Sequence, residues 1–211
     1  GQTKLAERCW HKIANVRPDP ENLTTAGFIC FKNGNSENAE QFFLEALDEC
    51  PTYYQALFNL GFLRQNENLH HDAIGFFSQA IAINEKCDVA YYGRAQSFLQ
   101  NGLIDKAIVD LKRTIEIQPF APHAYYKLAH AYAKTNNLEK AKQRLRQVSA
   151  NDEVVNFIVE RLSQDELNYL LVNFNKILTK LRKDNTKLDK ELFIQLIRKE
   201  ALDNPVNLED D

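Results

Sequence analysis

Histidine pairs are the residues of this 211-residue chain that come nearest, by type and spacing, to a metal site. His70 and His71 lie beside Asp72 just after a predicted turn, and we interpret them as solvent-exposed. His123 and His130 are spaced to share one helix face, but no third ligand is evident. The sequence has no phosphate-binding glycine loop, nucleophile elbow or H-E-x-x-H motif. We therefore predict a protein that is not an enzyme and that uses no cofactor or metal.

The basic run "LEKAKQRLRQ" is the feature that would suit nucleic acid. Its cations fall on alternate positions, so a helix would spread them over two stripes on either side of an apolar face. Nucleic-acid binding usually needs a broader patch with aromatic side chains for stacking. We interpret the run as a solvated outer face and predict no nucleic-acid partner, while an RNA-binding array remains an alternative. The cations are Lys140, Lys142, Arg144 and Arg146.

The apolar and charged fractions of the sequence are those of an ordinary globular protein, and the formal net charge is −3. No apolar run is long enough to span a bilayer. The four cysteines are widely spaced without a C-x-x-C pair, so we interpret them as free thiols in a reducing compartment. We therefore expect a cytoplasmic location and no membrane span. The chain begins with Gly1 and contains no methionine, and we expect it to be a segment of a longer protein.

A period of thirty-four residues organises the middle of the chain. Small residues recur at one offset, alanine at a second and a large apolar residue at a third. The recurring sets are Gly27, Gly61, Ala95 and Ala129; Ala39, Ala73, Ala107 and Ala141; Phe43, Phe77, Leu111 and Leu145. A further set, Gly34, Asn68, Gly102 and Asn136, contains only the residue types that tolerate a left-handed backbone at the end of a helix. Each unit is therefore predicted to be a helix, a tight turn and a second helix.

Gly61 stands inside a predicted helix, in "NLGFL", where glycine costs about 1 kcal/mol relative to alanine. We expect packing to offset this cost. Because Gly61 has no side chain, the second helix can lie close against the first, with Ala73 as its contact residue.

The pattern resembles the tetratricopeptide repeat family and is met most fully by "ALFNLGF" followed by "DAIGFFSQAI". The resemblance covers residues 20–153 as four units. It implies an all-α fold, a right-handed superhelical solenoid of antiparallel helix hairpins, with the first helices lining a concave surface. Residues 1–19 repeat the second-helix pattern, so we interpret them as part of a truncated preceding repeat or as an N-terminal cap.

Residues 154–203 lose the period but keep helical patterns, and residues 204–211 form an acidic tail. Ser163 and Glu166 form a capping box that starts a long helix, and a last helix runs from about Leu188 to Leu202. These helices are predicted to cap the solenoid, because its last repeat leaves an apolar face. The alternative is that one of them is a dimerisation or partner helix.

The resemblance places a groove on the first helices. The predicted peptide-binding residues are Phe28, Phe31, Phe58, Asn59, Phe62, Tyr92, Gln96, Tyr126 and His130, with Thr24 and Leu99 on the same face. Aromatics in the Phe58 row are common in the family and support packing between units. Phe28 and Phe62 stand where the family usually has polar residues, so they are expected to contact a partner or the chain's own C-terminal helices.

A family groove can hold the acidic tail of a chaperone through a dicarboxylate clamp. The clamp positions carried over to this chain are Thr24, Phe28, Asn59, Val89 and Gly93, and only Asn59 matches. We therefore expect no chaperone-tail binding. The resemblance implies a scaffold or adaptor that binds an apolar peptide or amphipathic helix of another protein. The alternatives are a self-assembling, homo-oligomeric structural protein and a regulatory or docking part of a larger enzyme or complex.

Overall fold

The computed structural model describes residues 18–148, 159–183 and 190–203. The described residues form helices and their connecting turns, in two compact units that divide between Ile117 and Gln118. Unit 1 contains α1 Pro20–Lys32, α2 Ser36–Glu49, α3 Tyr54–Asn66, α4 His70–Ile83, α5 Asp88–Gln100 and α6 Ile104–Ile117. Unit 2 contains α7 Pro122–Lys134, α8 Leu138–Val148, α9 Gln164–Lys183 and α10 Lys190–Asp203. Residues 1–17 of the predicted N-terminal segment 1–19, residues 154–158 and 184–189 of the predicted C-terminal extension and the acidic tail 204–211 lie outside the described residues.

The tight turns predicted from glycine and asparagine are present in all four hairpins. Gly34, Asn68, Gly102 and Asn136 have φ values of 79°, 60°, 70° and 54°. The residue after each of them donates its backbone N–H to a carbonyl five residues earlier, with N···O distances of 2.8–2.9 Å. This bond satisfies a carbonyl that the end of the helix would otherwise leave without a partner. The second helix of each pair then begins within two residues, which makes the two helices antiparallel neighbours.

Glycine allows close packing inside the hairpins, as the sequence indicated, but the group that occupies the space is an aromatic ring. A Cβ added at Gly61 would lie 2.6 Å from Cε1 of Phe77, and one added at Gly93 would lie 2.4 Å from its Cζ. The same relation joins Gly27 to Phe43 at 2.6 Å. Phe77 is fully buried between two glycine-bearing helices, so α4 packs against both α3 and α5.

A buried ion pair joins the last three helices of unit 1. The Arg94 guanidinium on α5 donates to both carboxylate oxygens of Asp110 on α6, at 2.7 and 2.9 Å, and to Ser78 Oγ on α4 at 3.0 Å. The Asp110 residue is only 4% exposed. A bidentate pair with a third partner retains favourable geometry after desolvation, and it orients α4, α5 and α6 within unit 1.

Unit 2 contains the predicted capping box. Ser163 donates its backbone N–H to Glu166 Oε2 at 2.8 Å, and the Glu166 N–H lies 3.4 Å from Ser163 Oγ. Arg198 on α10 donates to the other Glu166 carboxylate oxygen at 3.0 Å, which ties α10 to the start of α9. The same unit corrects the expectation that Lys142 lies on a solvated face. Lys142 is 7% exposed, and its ammonium donates to the Glu160 carbonyl at 3.3 Å.

Within residues 18–148, 159–183 and 190–203, no helix is both long and apolar enough to cross a membrane.

The packing around Phe77 generates a paired stability prediction. Gly93→Ala should lower the free energy of unfolding by about 1–3 kcal/mol, because the new methyl group collides with a ring that has no room to move. Gly75→Ala is the matched control, since nothing lies within 4 Å of its added Cβ. Alanine at this exposed helical position should raise stability by about 0.5–1 kcal/mol. Urea unfolding followed by circular dichroism measures both changes, and equal shifts of the two midpoints would contradict the packing.

Candidate peptide-binding site

A pocket of about 470 Å³ lies between the first helices of the first two hairpins. The described residues that line it belong to α1 and α3: Phe28, Phe31, Lys32, Asn59, Phe62, Gln65 and Asn66. The apolar part consists of three phenylalanines, and the polar part consists of three carboxamides and one ammonium group. A largely apolar pocket with a few polar groups is the usual form of a ligand site.

The phenylalanine rings of the pocket differ in how firmly the core holds them. Phe62 packs edge-on against Phe77, with ring centroids 5.1 Å apart, and against Phe58 at 6.3 Å. Phe28 is 44% exposed, and the Lys32 ammonium lies 5.4 Å from its ring centroid. Phe62 is therefore anchored in the core, whereas Phe28 presents apolar surface at the pocket.

We use the word seam for the contact between the first helices of two neighbouring hairpins. A comparison of the α3–α5 seam with the α1–α3 seam explains why the pocket forms at the latter. Across the α3–α5 seam, Gln65 donates to the Gly93 carbonyl at 2.7 Å and to Ser97 Oγ at 2.8 Å. One period earlier, the position of Gln65 is occupied by Phe31, and the position of Gly93 is occupied by Asn59. Phe31 has no group that could make the corresponding hydrogen bonds. The α1–α3 seam therefore keeps an apolar, unbridged space.

Several polar groups of the pocket are free to meet a ligand. Among the residues that the structure describes, no hydrogen bond engages the carboxamide of Asn59 or of Asn66, and no carboxylate lies within 4 Å of the Lys32 ammonium. Asn59 is half-buried, whereas Asn66 and Lys32 are exposed at the end of the pocket nearest the hairpin turns. The carboxamides offer both donors and acceptors, and Lys32 offers donors and positive charge.

Four of the nine predicted site residues meet in this pocket: Phe28, Phe31, Asn59 and Phe62. Three others lie elsewhere in unit 1 and are half-buried. Phe58 packs against the core cluster of α3, α4 and α5. Burial raises the pKa of Tyr92, and the Gln96 carboxamide lies 3.4 Å from its hydroxyl oxygen.

Two further predicted site residues, Tyr126 and His130, lie on α7 in unit 2, and both are half-buried. The Tyr126 hydroxyl donates to the Leu171 carbonyl of α9, so this tyrosine contacts the chain's own C-terminal region. On the same helix, burial lowers the pKa of Lys127, and the charge of Lys134 lowers it further.

Thr24 and Leu99, which the repeat pattern placed on the groove face, are both 8% exposed. The expectation that they line an open groove is therefore wrong, because almost none of their surface is accessible.

The sequence interpretation missed three lining residues: Lys32, Gln65 and Asn66. Each lies one helical turn beyond a predicted phenylalanine, since Lys32 follows Phe28 by four positions and Asn66 follows Phe62 by four. Extending the helical face by one turn would have found them.

Comparison with known families finds two matches, both described as "Tetratricopeptide repeat", over residues 20–53 and 98–154. Among curated proteins, human serine/threonine-protein phosphatase 5 is 26% identical over 192 residues, which cover 84% of this chain and 37% of that protein. A UDP-N-acetylglucosamine–peptide N-acetylglucosaminyltransferase of Giardia intestinalis is 26% identical over 98 residues, which cover 44% of this chain and 7% of that protein. The matches thus span a small part of the length of these relatives.

Solved structures share the fold. The crystal structure of MamA superposes with a TM-score of 0.63 at 24% identity and covers 71% of this chain and 88% of its own. YrrB, described as a TPR protein with an unusual peptide-binding site, superposes with a TM-score of 0.65 at 13% identity and covers 92% and 93%. The first TPR of Spaghetti, solved with an HSP90 peptide, has a TM-score of 0.54 at 20% identity and covers 56% and 93%.

The contact of Tyr126 with α9 generates a test that separates this residue from the pocket. Tyr126→Phe removes the hydrogen bond to the Leu171 carbonyl and should destabilise the attachment of α9 by about 0.5–1.5 kcal/mol. Amide hydrogen exchange resolved by peptide should therefore rise in α9 and stay unchanged in α1 and α3. Unchanged exchange in α9 would show that the hydroxyl does not hold it.

Proposed function

We propose that this chain, which belongs to the tetratricopeptide repeat family, is a non-enzymatic interaction module that binds an apolar segment of another protein in the pocket between α1 and α3. The segment is a short peptide or one face of an amphipathic helix, the two forms in which proteins present apolar anchors to a groove. The chain then acts as a scaffold or adaptor.

The observation that carries this proposal is the exposed Phe28 ring in a pocket that already contains Phe31 and Phe62. Aromatic side chains clustered at the centre of a concavity contribute disproportionately to binding energy when a partner excludes water from them. The Asn59 carboxamide, which has no hydrogen-bond partner among the described residues, supports the same conclusion, because it can orient a ligand by hydrogen bonding once the apolar anchor is bound.

The predicted absence of a chaperone-tail clamp receives support from the environment of the carried-over positions. Thr24 is buried, and a side chain at Gly93 would collide with Phe77. Val89 is 39% exposed and cannot pair with a carboxylate. The lysines and arginine that a dicarboxylate clamp requires are therefore missing from the carried-over positions, and the exposed Phe28 at one of these positions favours a ligand with an apolar anchor.

A second candidate function is a docking or regulatory part of a larger enzyme. The curated relatives favour it, since both are named as enzymes and the matched segments cover only 37% and 7% of their lengths. In that case the same pocket would bind either a substrate protein or another region of the enzyme. A full-length transcript tests this candidate, because the candidate requires a catalytic domain outside these 211 residues.

The pocket can be tested with a library of random dodecapeptides displayed on phage and selected against the purified chain. We expect the enriched peptides to share an apolar or aromatic residue. Their affinity should fall at least about tenfold for Phe28→Ser, since tenfold corresponds to about 1.4 kcal/mol and loss of a central aromatic contact at a hot spot costs that much or more. Leu44→Ser is the matched control, because Leu44 is 46% exposed on α2 and does not line the pocket.

Circular dichroism and thermal unfolding should show that both variants fold like the wild type, since each replaces an exposed side chain. If the selection enriches no shared residue, or if the selected peptides bind Phe28→Ser as tightly as the wild type, the pocket is not the binding site. Growth of particle size with protein concentration in light scattering would instead favour self-assembly.

A further inference from the structure

We propose that the occupant of this pocket is an extended segment in which an apolar anchor residue is flanked by glutamate or aspartate, and that Lys32 selects for the acidic flank. The inference rests on the proposed function and specifies its partner. It follows from the charge and hydrogen-bonding capacity of the pocket lining.

The described lining of the pocket carries charge of one sign. Among the lining residues that the structure describes, Lys32 is the only ionised side chain, and none is a carboxylate. The Lys32 ammonium lies 5.4 Å from the Phe28 centroid, which is a cation–π distance, so the charge stands beside the exposed ring. A ligand whose apolar residue covers Phe28 therefore places its neighbouring residue next to an ammonium group.

The acidic groups at this end of α3 do not cancel that charge. Glu67 is bound by Arg64 at 2.6 Å, and Glu40 contacts the same guanidinium. Within the described part of the chain, Lys32 has no carboxylate partner of its own. An incoming carboxylate would therefore gain an ion pair without displacing an existing one, whereas an incoming lysine would meet uncompensated repulsion.

The carboxamides favour an extended backbone. Asn59 and Asn66 present donors and acceptors from two positions along α3 that lie two turns apart. A helical ligand satisfies its own backbone groups, so it could not use these carboxamides except through side chains. An extended ligand leaves its N–H and C=O groups free to pair with them.

The test uses three acetylated, amidated synthetic peptides that contain Leu-Phe flanked on each side by two glutamates, two glutamines or two lysines. Fluorescence anisotropy measures their binding to the full chain. The glutamate peptide should bind at least about threefold tighter than the glutamine peptide, which is the scale of one exposed ion pair, and the lysine peptide should bind most weakly. Lys32→Glu should reverse this order.

The matched control is Lys106→Glu. Lys106 lies 5.8 Å from the Phe98 ring centroid, which is the same kind of contact on another part of unit 1, and it does not line the pocket. This variant changes net charge by the same amount and should keep the order of the wild type. Raising the salt concentration should narrow the difference between the glutamate and glutamine peptides.

The outcomes separate the two proposals. Equal affinities for the three peptides, each lost in Phe28→Ser, would overturn the acidic preference and leave the apolar pocket intact. A preference that Lys106→Glu reverses as fully as Lys32→Glu would also overturn it, because the cause would be net charge. Binding that Phe28→Ser does not weaken would contradict the pocket and the acidic preference together.

Discussion

The close approach of helices around a buried phenylalanine ring is the constraint on which the rest of unit 1 depends. Phe77 fits between Gly61 and Gly93 because neither residue has a Cβ, and the added atoms would lie within 2.6 Å of the ring. Real non-bonded carbon atoms stay much farther apart, at about 3.5–4.0 Å. The ring therefore fixes the distance from α4 to both α3 and α5. The same ring also packs against Phe62 and so fixes the position of this pocket residue.

The pocket is a local departure from that close packing. At the α3–α5 seam, glycine at position 93 and glutamine at position 65 allow close contact and a hydrogen-bonded bridge. At the preceding seam the same positions carry Asn59 and Phe31, which add volume and remove the bridge. The repeat thus keeps its fold at both places. Between α1 and α3, however, the hydrogen-bonded bridge is replaced by a pocket that a ligand can occupy. Such a change costs little elsewhere, since each repeat contacts only its neighbours.

The polar interactions of unit 1 divide into those that hold the fold and those that are available to a ligand. Arg94 is fully engaged by Asp110 and Ser78, and Arg64 is engaged by Glu40 and Glu67. Lys32, Asn59 and Asn66 lack such partners among the described residues. Arg64, Arg94 and Lys32 are all cationic side chains on first helices of their hairpins. Whether each of them is paired therefore depends on whether a neighbouring helix places a carboxylate within reach.

The sequence by itself determined the repeat, its turns and the face on which Phe28, Phe31, Asn59 and Phe62 would meet. A thirty-four-residue period follows from local chemistry, because left-handed turn residues and small helix residues must recur wherever a hairpin recurs. Only the tertiary structure decided which groove-facing residues are available. Phe58 packs against the core, and Tyr126 donates a hydrogen bond to the Leu171 carbonyl, forty-five residues further along the chain. Lys32 became significant only once its ammonium was seen beside Phe28 without a carboxylate partner among the described residues. Burial and pairing depend on distant neighbours, and periodicity carries no information about them.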